Sequence, residues 1–289
     1  MMRSIHVRVA ATIATAALVL TAAAPAFAAV DLKISGSTTL QPLASTWAKA
    51  YKDSHSGSSI TVSGGGSGKG VTDAENGIVD IGMSSAVKKS SDPSDLVFTA
   101  VARDALIIVV NPAISKNTVL YKMTPAMVRR IFLGQVTNWH QIDSRLPSHS
   151  IDLKGRTGAS GTYSYFKSQF LKSGEKQSSR TATYSSNGLV RSHVASDKYA
   201  IGYLAMSYQT SKVRALNLLM NSGPQAGHYV VPTKTNALNG NYIYVRDLFF
   251  ITKGALSEDH NKDAKTFITW CLSSTGQKYN SPAGYLPLH

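Results

Sequence analysis

The sequence has little cysteine and little charge, and both shortages exclude classes of protein. Its 289 residues contain one cysteine, so no disulfide can form within the chain and a disulfide-stabilised scaffold is excluded. Charged residues make up only 16% of the chain, while 43% of the residues are hydrophobic, which is enough to form a core rather than a disordered chain. Among the charged residues the acidic ones are fewer, with 16 Asp and Glu compared with 30 Lys and Arg. The resulting formal charge of +14 favours acidic partners.

The sequence also lacks long apolar runs, apart from one at its start. Arg3 and Arg8 precede an uncharged, mostly apolar run at residues 9–24, and Ala-Phe-Ala occupies residues 26–28. The run is shorter than the roughly 20 residues of a membrane-spanning helix. It predicts a secretory signal peptide, residues 1–28, cleaved after Ala28. No cysteine near that position is available for a lipid, so we expect a free periplasmic or secreted protein with 28 basic and 16 acidic residues.

Beyond residue 28, strand-like segments alternate with helix-like segments. Residues 31–35, 59–62 and 79–83 have strand character. Each of the first two is followed by a Gly/Ser-rich turn and then by a segment predicted to be helical. A buried strand is predicted at residues 105–110, and another at residues 151–153. This alternation predicts an α/β fold with largely parallel sheets, and the length predicts two compact lobes.

Three loops rich in glycine and hydroxyl residues each join a predicted strand to a predicted helix, at residues 36–39, 64–68 and 158–162. Such loops direct backbone N–H groups and the positive end of a helix dipole toward one place, which suits an anion. Arg156 adds a planar guanidinium that can grip two oxygen atoms. The hydroxyl donors in these loops are Ser37, Thr38, Ser67, Ser160 and Thr162.

Motifs for catalysis and for other ligands fail on spacing. The glycine run at residues 64–70 is not a nucleotide-binding P-loop, because Ser63 and Gly70 occupy positions that the motif requires to be Gly and Ser or Thr. Lys69 and Thr162 break the hydrolase pattern Gly-x-Ser-x-Gly around Ser67 and Ser160. No two of the eight histidines are spaced one helical turn apart, the spacing of a metal-binding pair on a helix. No segment alternates aromatic with basic residues in the manner of proteins that stack nucleic-acid bases. We therefore expect no metal, no cofactor and no specific nucleic-acid partner.

Taken in order, these segments resemble the phosphate-binding proteins of ABC phosphate importers, the PstS family of type II periplasmic binding proteins. The segment most typical of the family is Arg-Thr-Gly-Ala-Ser-Gly-Thr at residues 156–162. The other similar segments, spread over nearly the whole mature chain, are residues 36–43, 47–51, 64–68, 79–85, 104–112, 131–139, 200–203 and 246–250.

The resemblance implies two lobes, each a mostly parallel sheet flanked by helices, with a ligand cleft between them. Lobe I would comprise residues 29–110 and 228–289, and lobe II residues 111–227. Such a protein performs no bond chemistry; it binds inorganic phosphate and delivers it to a membrane permease and its ATPase, and we expect a monomer. The phosphate ligands that the resemblance implies are Ser37, Thr38, Thr39, Ser67, Ser85, Arg156, Ser160, Gly161 and Thr162.

One position departs from the family pattern. Ser85 stands where many members have an aspartate, whose carboxylate accepts the proton of hydrogen phosphate and repels sulfate. A hydroxyl discriminates less, so another tetrahedral oxyanion such as sulfate or molybdate is an alternative ligand. Asp104 is a carboxylate that could take over the missing role. Two further alternatives are a secreted phosphatase on the same fold and a surface protein that binds polyanions through its net charge of +12.

Overall fold

The computed structural model describes residues 28–115 and 120–288. Apart from Ala28, the predicted signal peptide lies outside the described residues. Within the described ranges, no helix is both long enough and apolar enough to cross a bilayer.

The described chain contains strands and helices in alternation over most of its length. The strands are β1 (Asp31–Gly36), β2 (Ser59–Ser63), β3 (Ile81–Ser84), β4 (Leu96–Val110), β5 (Lys122–Met123), β6 (Asp152–Arg156), β7 (Ala182–Tyr184), β8 (Ala200–Ala205), β9 (Arg214–Ala215), β10 (Asn217–Leu219), β11 (Tyr229–Val230) and β12 (Val245–Lys253). The helices are α1 (Gln41–Ser54), α2 (Ser67–Glu75), α3 (Pro125–Phe132), α4 (Gly161–Phe170), α5 (Asn187–Ser196), α6 (Lys234–Leu238), α7 (Lys262–Leu272) and α8 (Ser274–Gln277).

One continuous sheet runs through both lobes in the order β2-β1-β3-β12-β4-β8-β6-β7, with β9 paired to β4. Strands β2, β1 and β3 are parallel, as are β8, β6 and β7. The long strands β4 and β12 are antiparallel to each other and to their outer neighbours β8 and β3. A small separate sheet has the order β11-β10-β5. The predicted α/β fold with two lobes is therefore confirmed, and the antiparallel pairs of the main sheet all involve β4 or β12, the strands that cross between the lobes.

Each lobe has its own hydrophobic cluster. In the first, Trp47 packs edge-on against Phe250 with ring centroids 5.9 Å apart. In the second, Phe166 stacks on Tyr203 at 4.0 Å. These aromatic side chains each bury a large apolar area, so each lobe has a separate source of stability.

The two clusters meet along β4 and β12. Ala102 packs in the first cluster and Ala105 in the second, while Leu248 packs in the first and Tyr244 in the second. The exact lobe bounds remain a prediction. The packing supports crossings near residues 103–104 and 245–247, whereas the sequence-based division had put residues 105–110 and 228–243 in lobe I.

Candidate functional site

Four helices begin at the interface between the lobes. In lobe I, Thr38 and Thr39 lie in the turn before α1, whose N-cap is Leu40, and Ser67 is the first residue of α2. In lobe II, Gly161 is the first residue of α4, and Asn187 is the first residue of α5. Each helix follows a parallel strand, and in parallel sheets ligand clefts form outside the carboxyl ends of the strands. The four positively polarised helix ends therefore lie around one place.

Hydrogen bonds join the two lobes across this place. Thr39 Oγ1 lies 2.9 Å from Thr162 Oγ1, and Arg156 Nη2 donates to Thr38 Oγ1 at 2.9 Å. The Gly68 N–H donates to the Ala159 carbonyl at 3.1 Å. These contacts bring all three predicted loops together in a closed interface.

Glycine is required at two positions, at Gly36 for close packing within lobe I and at Gly161 for the contact between the lobes. Gly36 has φ of +129°, and a Cβ there would lie 2.4 Å from the carbonyl oxygen of Met83. At Gly161, a Cβ would lie 2.4 Å from Ser67 Oγ and 2.5 Å from Ser85 Oγ. Any larger residue at position 161 would push the α4 end away from lobe I, so the closed interface depends on this glycine.

Arg156 lies on the lobe II side of this interface and makes several hydrogen bonds there. It is 1% exposed, and its guanidinium donates to the carbonyls of Tyr184 and Ser185 and to Asn187 Oδ1, as well as to Thr38. All of these acceptors are neutral, and no carboxylate of the described residues pairs with it. Burial lowers the pKa of Arg156 to about 10, so the side chain still carries a positive charge at neutral pH.

Most of the site hydroxyls share one feature, which is that the oxygen accepts a hydrogen bond from an N–H group; among the described residues Ser85 Oγ has only Ser67 Oγ as a partner. Ser160 Oγ accepts from the N–H groups of Thr162 and Tyr163, at 3.1 and 3.3 Å, and so caps α4. Ser37 Oγ accepts from the N–H of Thr39 at 3.2 Å. Ser67 Oγ accepts from the Ser85 N–H at 3.0 Å. A hydroxyl whose lone pairs are used in this way has its own proton left to donate.

Two site residues were missed by the sequence analysis, and the first is Asn187. It is fully buried, its Nδ2 donates to Thr39 Oγ1 at 2.9 Å, and its Oδ1 accepts from Arg156 Nη1 at 2.8 Å. A signal for it was present, because residues 184–188 form a fourth polar turn between a strand and a helix.

The second missed residue, Arg246, is 6% exposed and lies on β12. Its Nη1 donates to the carbonyls of Ser85 and Gly161, and its Nη2 donates to Thr162 Oγ1 at 3.1 Å and to Asp104 Oδ2 at 3.2 Å. One guanidinium thus ties together β3, α4 and β4. No local pattern predicts this role, since Arg246 comes near the loops only through the crossing of β12.

Asp104 lies behind the site rather than in it. Burial raises the pKa of this carboxyl, and the charge of Arg246 opposes that shift. Within the described residues, its side chain is hydrogen-bonded to Arg246 of the site and not to Ser67 or Ser85. Asp104, which was suggested as a substitute for the family aspartate, therefore reaches the site only through the guanidinium of Arg246.

The structure brings all nine sequence-predicted site residues into this one interface. Ser85 follows β3, where its carbonyl accepts from Arg246 and its Oγ lies 3.3 Å from Ser67 Oγ. Eight of the nine are buried and Thr38 is half-buried. Their role as phosphate ligands stays a prediction at this point.

The surroundings of the interface include two cavities. One of about 210 Å³ is lined by Ser67 and Gly161 together with Ala86 and Lys89, and one of about 620 Å³ is lined by Arg246, Tyr165 and Arg103 among others. Among the described residues no cluster of three His, Cys, Asp or Glu could hold a metal ion. The chemistry available at the interface is therefore that of hydrogen-bond donors and guanidinium groups.

Comparison with known proteins identifies the family. The model of the PBP superfamily domain matches residues 21–275. The phosphate-binding protein PstS of Bacillus subtilis is 30% identical over 263 residues, which cover 89% of this chain and 81% of that protein.

Among solved structures, a proposed phosphate ABC transporter substrate-binding protein from Clostridium perfringens, with bound phosphate, has a TM-score of 0.78 and 25% identity. That match covers 90% of this chain and 100% of the other. An ABC-type phosphate transport receptor from Vibrio cholerae, 24% identical with a TM-score of 0.68, shares the fold over 88% of this chain and 99% of its own. The chain therefore belongs to the PBP superfamily and, within it, to the family of the phosphate-binding protein PstS.

Proposed function

We propose that this protein binds inorganic phosphate between its two lobes and delivers it to an ABC importer. The observation that carries the proposal is the buried, positively charged Arg156, which has no carboxylate partner among the described residues and lies in one interface with hydroxyls that accept hydrogen bonds from N–H groups. The names of the relatives, which are phosphate-binding proteins, support the same ligand.

A tetrahedral oxyanion suits this arrangement physically. It presents several oxygen atoms that accept hydrogen bonds in different directions, and the four helix ends supply donors from both lobes. Hydrogen bonds to a charged acceptor contribute about 1.5–3 kcal/mol each, more than bonds between neutral groups. Closure around such an ion would replace its hydration shell with fixed donors.

The phosphate ligands in this proposal are the hydroxyl groups, backbone N–H groups and guanidinium of the converging loops. Lobe I would contribute Ser37, Thr38, Thr39, Ser67 and Ser85, and lobe II would contribute Arg156, Ser160, Gly161 and Thr162. Asn187 and Arg246 would act through Thr39 and Thr162.

The proposed role is binding without bond chemistry. The family is one of substrate-binding proteins, and the hydrogen bonds of Ser160 Oγ within the described residues are those to the N–H groups of Thr162 and Tyr163, with no basic side chain among its partners to remove its proton. The buried carboxylate of Asp104 is paired with Arg246. We further propose an extracytoplasmic location, a monomeric state, and a membrane permease with its ATPase as the partner that receives the phosphate.

Isothermal titration calorimetry on mature protein, stripped of ligand by unfolding and refolding, tests the proposal. We expect saturable phosphate binding with one site per chain. Absence of phosphate binding up to millimolar concentration would refute the function. Hydrolysis of a phosphate ester by the same preparation, with or without divalent metal, would instead support an enzyme on this fold.

A further inference from the structure

The two lobes differ in charge. Residues 105–246, which lie between the two crossings that the packing supports, contain 17 Lys and Arg and only four Asp and Glu. The rest of the chain after residue 28 contains 11 basic and 12 acidic residues, so lobe I is close to neutral. The excess positive charge therefore belongs to lobe II, and the molecule has an electric dipole that points from one lobe to the other.

The few acidic residues of lobe II lie outside two long stretches of the sequence. Residues 105–142 and 198–246 contain no Asp or Glu. The first stretch contributes β5 to the small sheet, and the second contributes β10 and β11. Three of the four acids are neutralised by a neighbouring cation, in the pairs Asp143 with Arg145, Glu175 with Arg129, and Asp197 with Lys154.

The small sheet has one buried face and one outward face. Met123, Leu218 and Val230 are buried in the hydrophobic cluster of lobe II. Successive residues of a strand point to opposite faces, so Lys122 and Tyr229 lie on the outward face. Both of these side chains are exposed. Leu219 is opposite Tyr229 in the register and is half-buried. The outward face thus combines a cation with apolar side chains.

Cations and aromatic rings are interleaved along this face. Lys122 Nζ lies 5.4 Å from the ring centre of Tyr229 and 5.6 Å from that of Tyr121. The central carbon of Arg214 lies 5.9 Å from the centre of the Tyr121 ring. Val231, directly after β11, is 48% exposed, and Tyr229 is 39% exposed. We call this surface the small-sheet face, and its residues are Tyr121, Lys122, Arg214, Leu219, Tyr229 and Val231.

We propose that the small-sheet face binds the surface of an anionic lipid bilayer, so that lobe II lies against the membrane. This role goes beyond phosphate binding, and none of the six residues belongs to the loops of the interface between the lobes. Lysine and arginine side chains are attracted to anionic headgroups, and tyrosine rings favour the headgroup level, where an apolar layer meets water. Val231 would enter the boundary of the acyl chains.

The exposed apolar side chains favour a bilayer over a soluble polyanion. Binding of a polyanion is mainly electrostatic, so it would use the cations of lobe II without Tyr229 or Val231. A bilayer attracts both kinds of side chain, because its anionic headgroups cover an apolar layer. Positive charge and exposed apolar side chains coincide on the small-sheet face, in the lobe that carries the excess charge.

Co-sedimentation of the mature protein with large unilamellar vesicles is the first test. The vesicles contain phosphatidylcholine alone or phosphatidylcholine with roughly 30 mol% phosphatidylglycerol. We expect binding to the anionic vesicles only. Binding should weaken at least about tenfold when the salt concentration rises from roughly 0.01 to roughly 0.15 M, because the Debye length then shortens from about 30 to about 8 Å. Equal binding to both kinds of vesicle, or none to the anionic kind, would refute the proposal.

Two variants then test the face itself. We expect Lys122→Ala to weaken binding to anionic vesicles about fivefold, because one cation near the headgroups is lost. Tyr229→Ala removes the interfacial ring and should weaken binding about threefold or more. Lys52→Ala and Ile78→Ala are the matched controls, since both side chains are exposed in lobe I, and these variants should bind like the wild type. An equal loss in Lys52→Ala would show that net charge alone acts, and the assignment to this face would fail.

A soluble polyanion separates lipid binding from general attraction to negative charge. Binding to dextran sulfate should be the same for Tyr229→Ala and the wild type, whereas vesicle binding by Tyr229→Ala should fall. If the wild type binds dextran sulfate but not anionic vesicles, or if Tyr229→Ala binds vesicles like the wild type, the bilayer is the wrong partner. Thermal unfolding of each variant verifies that it is folded.

Discussion

The surroundings of Arg156 and of Arg246 form an instructive contrast. Both guanidinium groups are buried in the same interface, and both reach a threonine of the site. Arg156 has only neutral acceptors, namely two carbonyls, an amide and a hydroxyl. Arg246 pairs with the carboxylate of Asp104 and has a Tyr165 ring 5.4 Å from its central carbon. The first charge is uncompensated and the second is neutralised within the protein.

The difference indicates that Arg156 and Arg246 have different roles. A buried charge without a counterion is costly, and an anionic ligand removes that cost. Arg156 is therefore suited to bind the ligand. A paired charge is already balanced, so Arg246 serves to hold β3, α4 and β4 in position. Four substitutions test this difference in role.

Removing Asp104 should cost the most stability. In Asp104→Ala the charge of Arg246 is left buried and unpaired, so we expect the free energy of unfolding to fall by about 3–5 kcal/mol. Urea denaturation of the ligand-free protein measures it. Asp53→Ala, which breaks the exposed pair between Lys49 and Asp53, is the control and should leave the free energy of unfolding nearly unchanged, because solvent screens an exposed pair. Equal costs in the two variants would show that Arg246 does not depend on Asp104.

Removing Arg156 should have the opposite profile. We expect Arg156→Ala to weaken phosphate binding by more than about 2 kcal/mol, because a buried charge-assisted grip is lost. The unfolding free energy of the ligand-free protein should fall less than in Asp104→Ala, since an uncompensated charge is removed with it. Calorimetry and urea denaturation on the same preparation give both numbers. Unchanged phosphate affinity would mean that the site is assigned wrongly.

Filling the contact between the lobes should reduce affinity next. In Gly161→Ala the new Cβ collides with the hydroxyls of Ser67 and Ser85, so closure costs about 1–3 kcal/mol and phosphate binding weakens accordingly. Gly158→Ala in the same loop is the matched control, because no atom lies within 4 Å of a Cβ there. If both variants bind phosphate like the wild type, the closed interface seen here is not the bound form.

The smallest effect concerns two helix caps. Ser160 caps α4 in the site and Thr124 caps α3 away from it, each through its side-chain oxygen. Replacing either with alanine should lower the unfolding free energy by about 1 kcal/mol. Only Ser160→Ala should also weaken phosphate binding. A similar loss of affinity in Thr124→Ala would point to a general effect of stability rather than to the Ser160 hydroxyl.

Much of the site was predictable because its residues lie in local patterns. The loops before α1, α2 and α4 contain glycine and hydroxyl residues between a strand and a helix, a pattern with a direct physical meaning. The loop before α5 has the same polar character at Ser186 and Asn187, but it lacks the glycine-rich composition by which the other three loops are recognised. Arg246 and Asp104 lie inside strands, where no local feature distinguishes a site residue from a structural one.

The α/β fold, the glycine and hydroxyl loops, and the position of Arg156 beside them could all be read from the sequence. Periodicity and turn chemistry act over a few residues, so the local sequence encodes them fully. The folded arrangement sets which arginine is neutralised by a carboxylate and which N–H groups the site hydroxyls accept from. Both depend on residues far apart in the chain, such as Thr39 with Asn187 and Asp104 with Arg246, which meet only when β4 and β12 cross between the lobes.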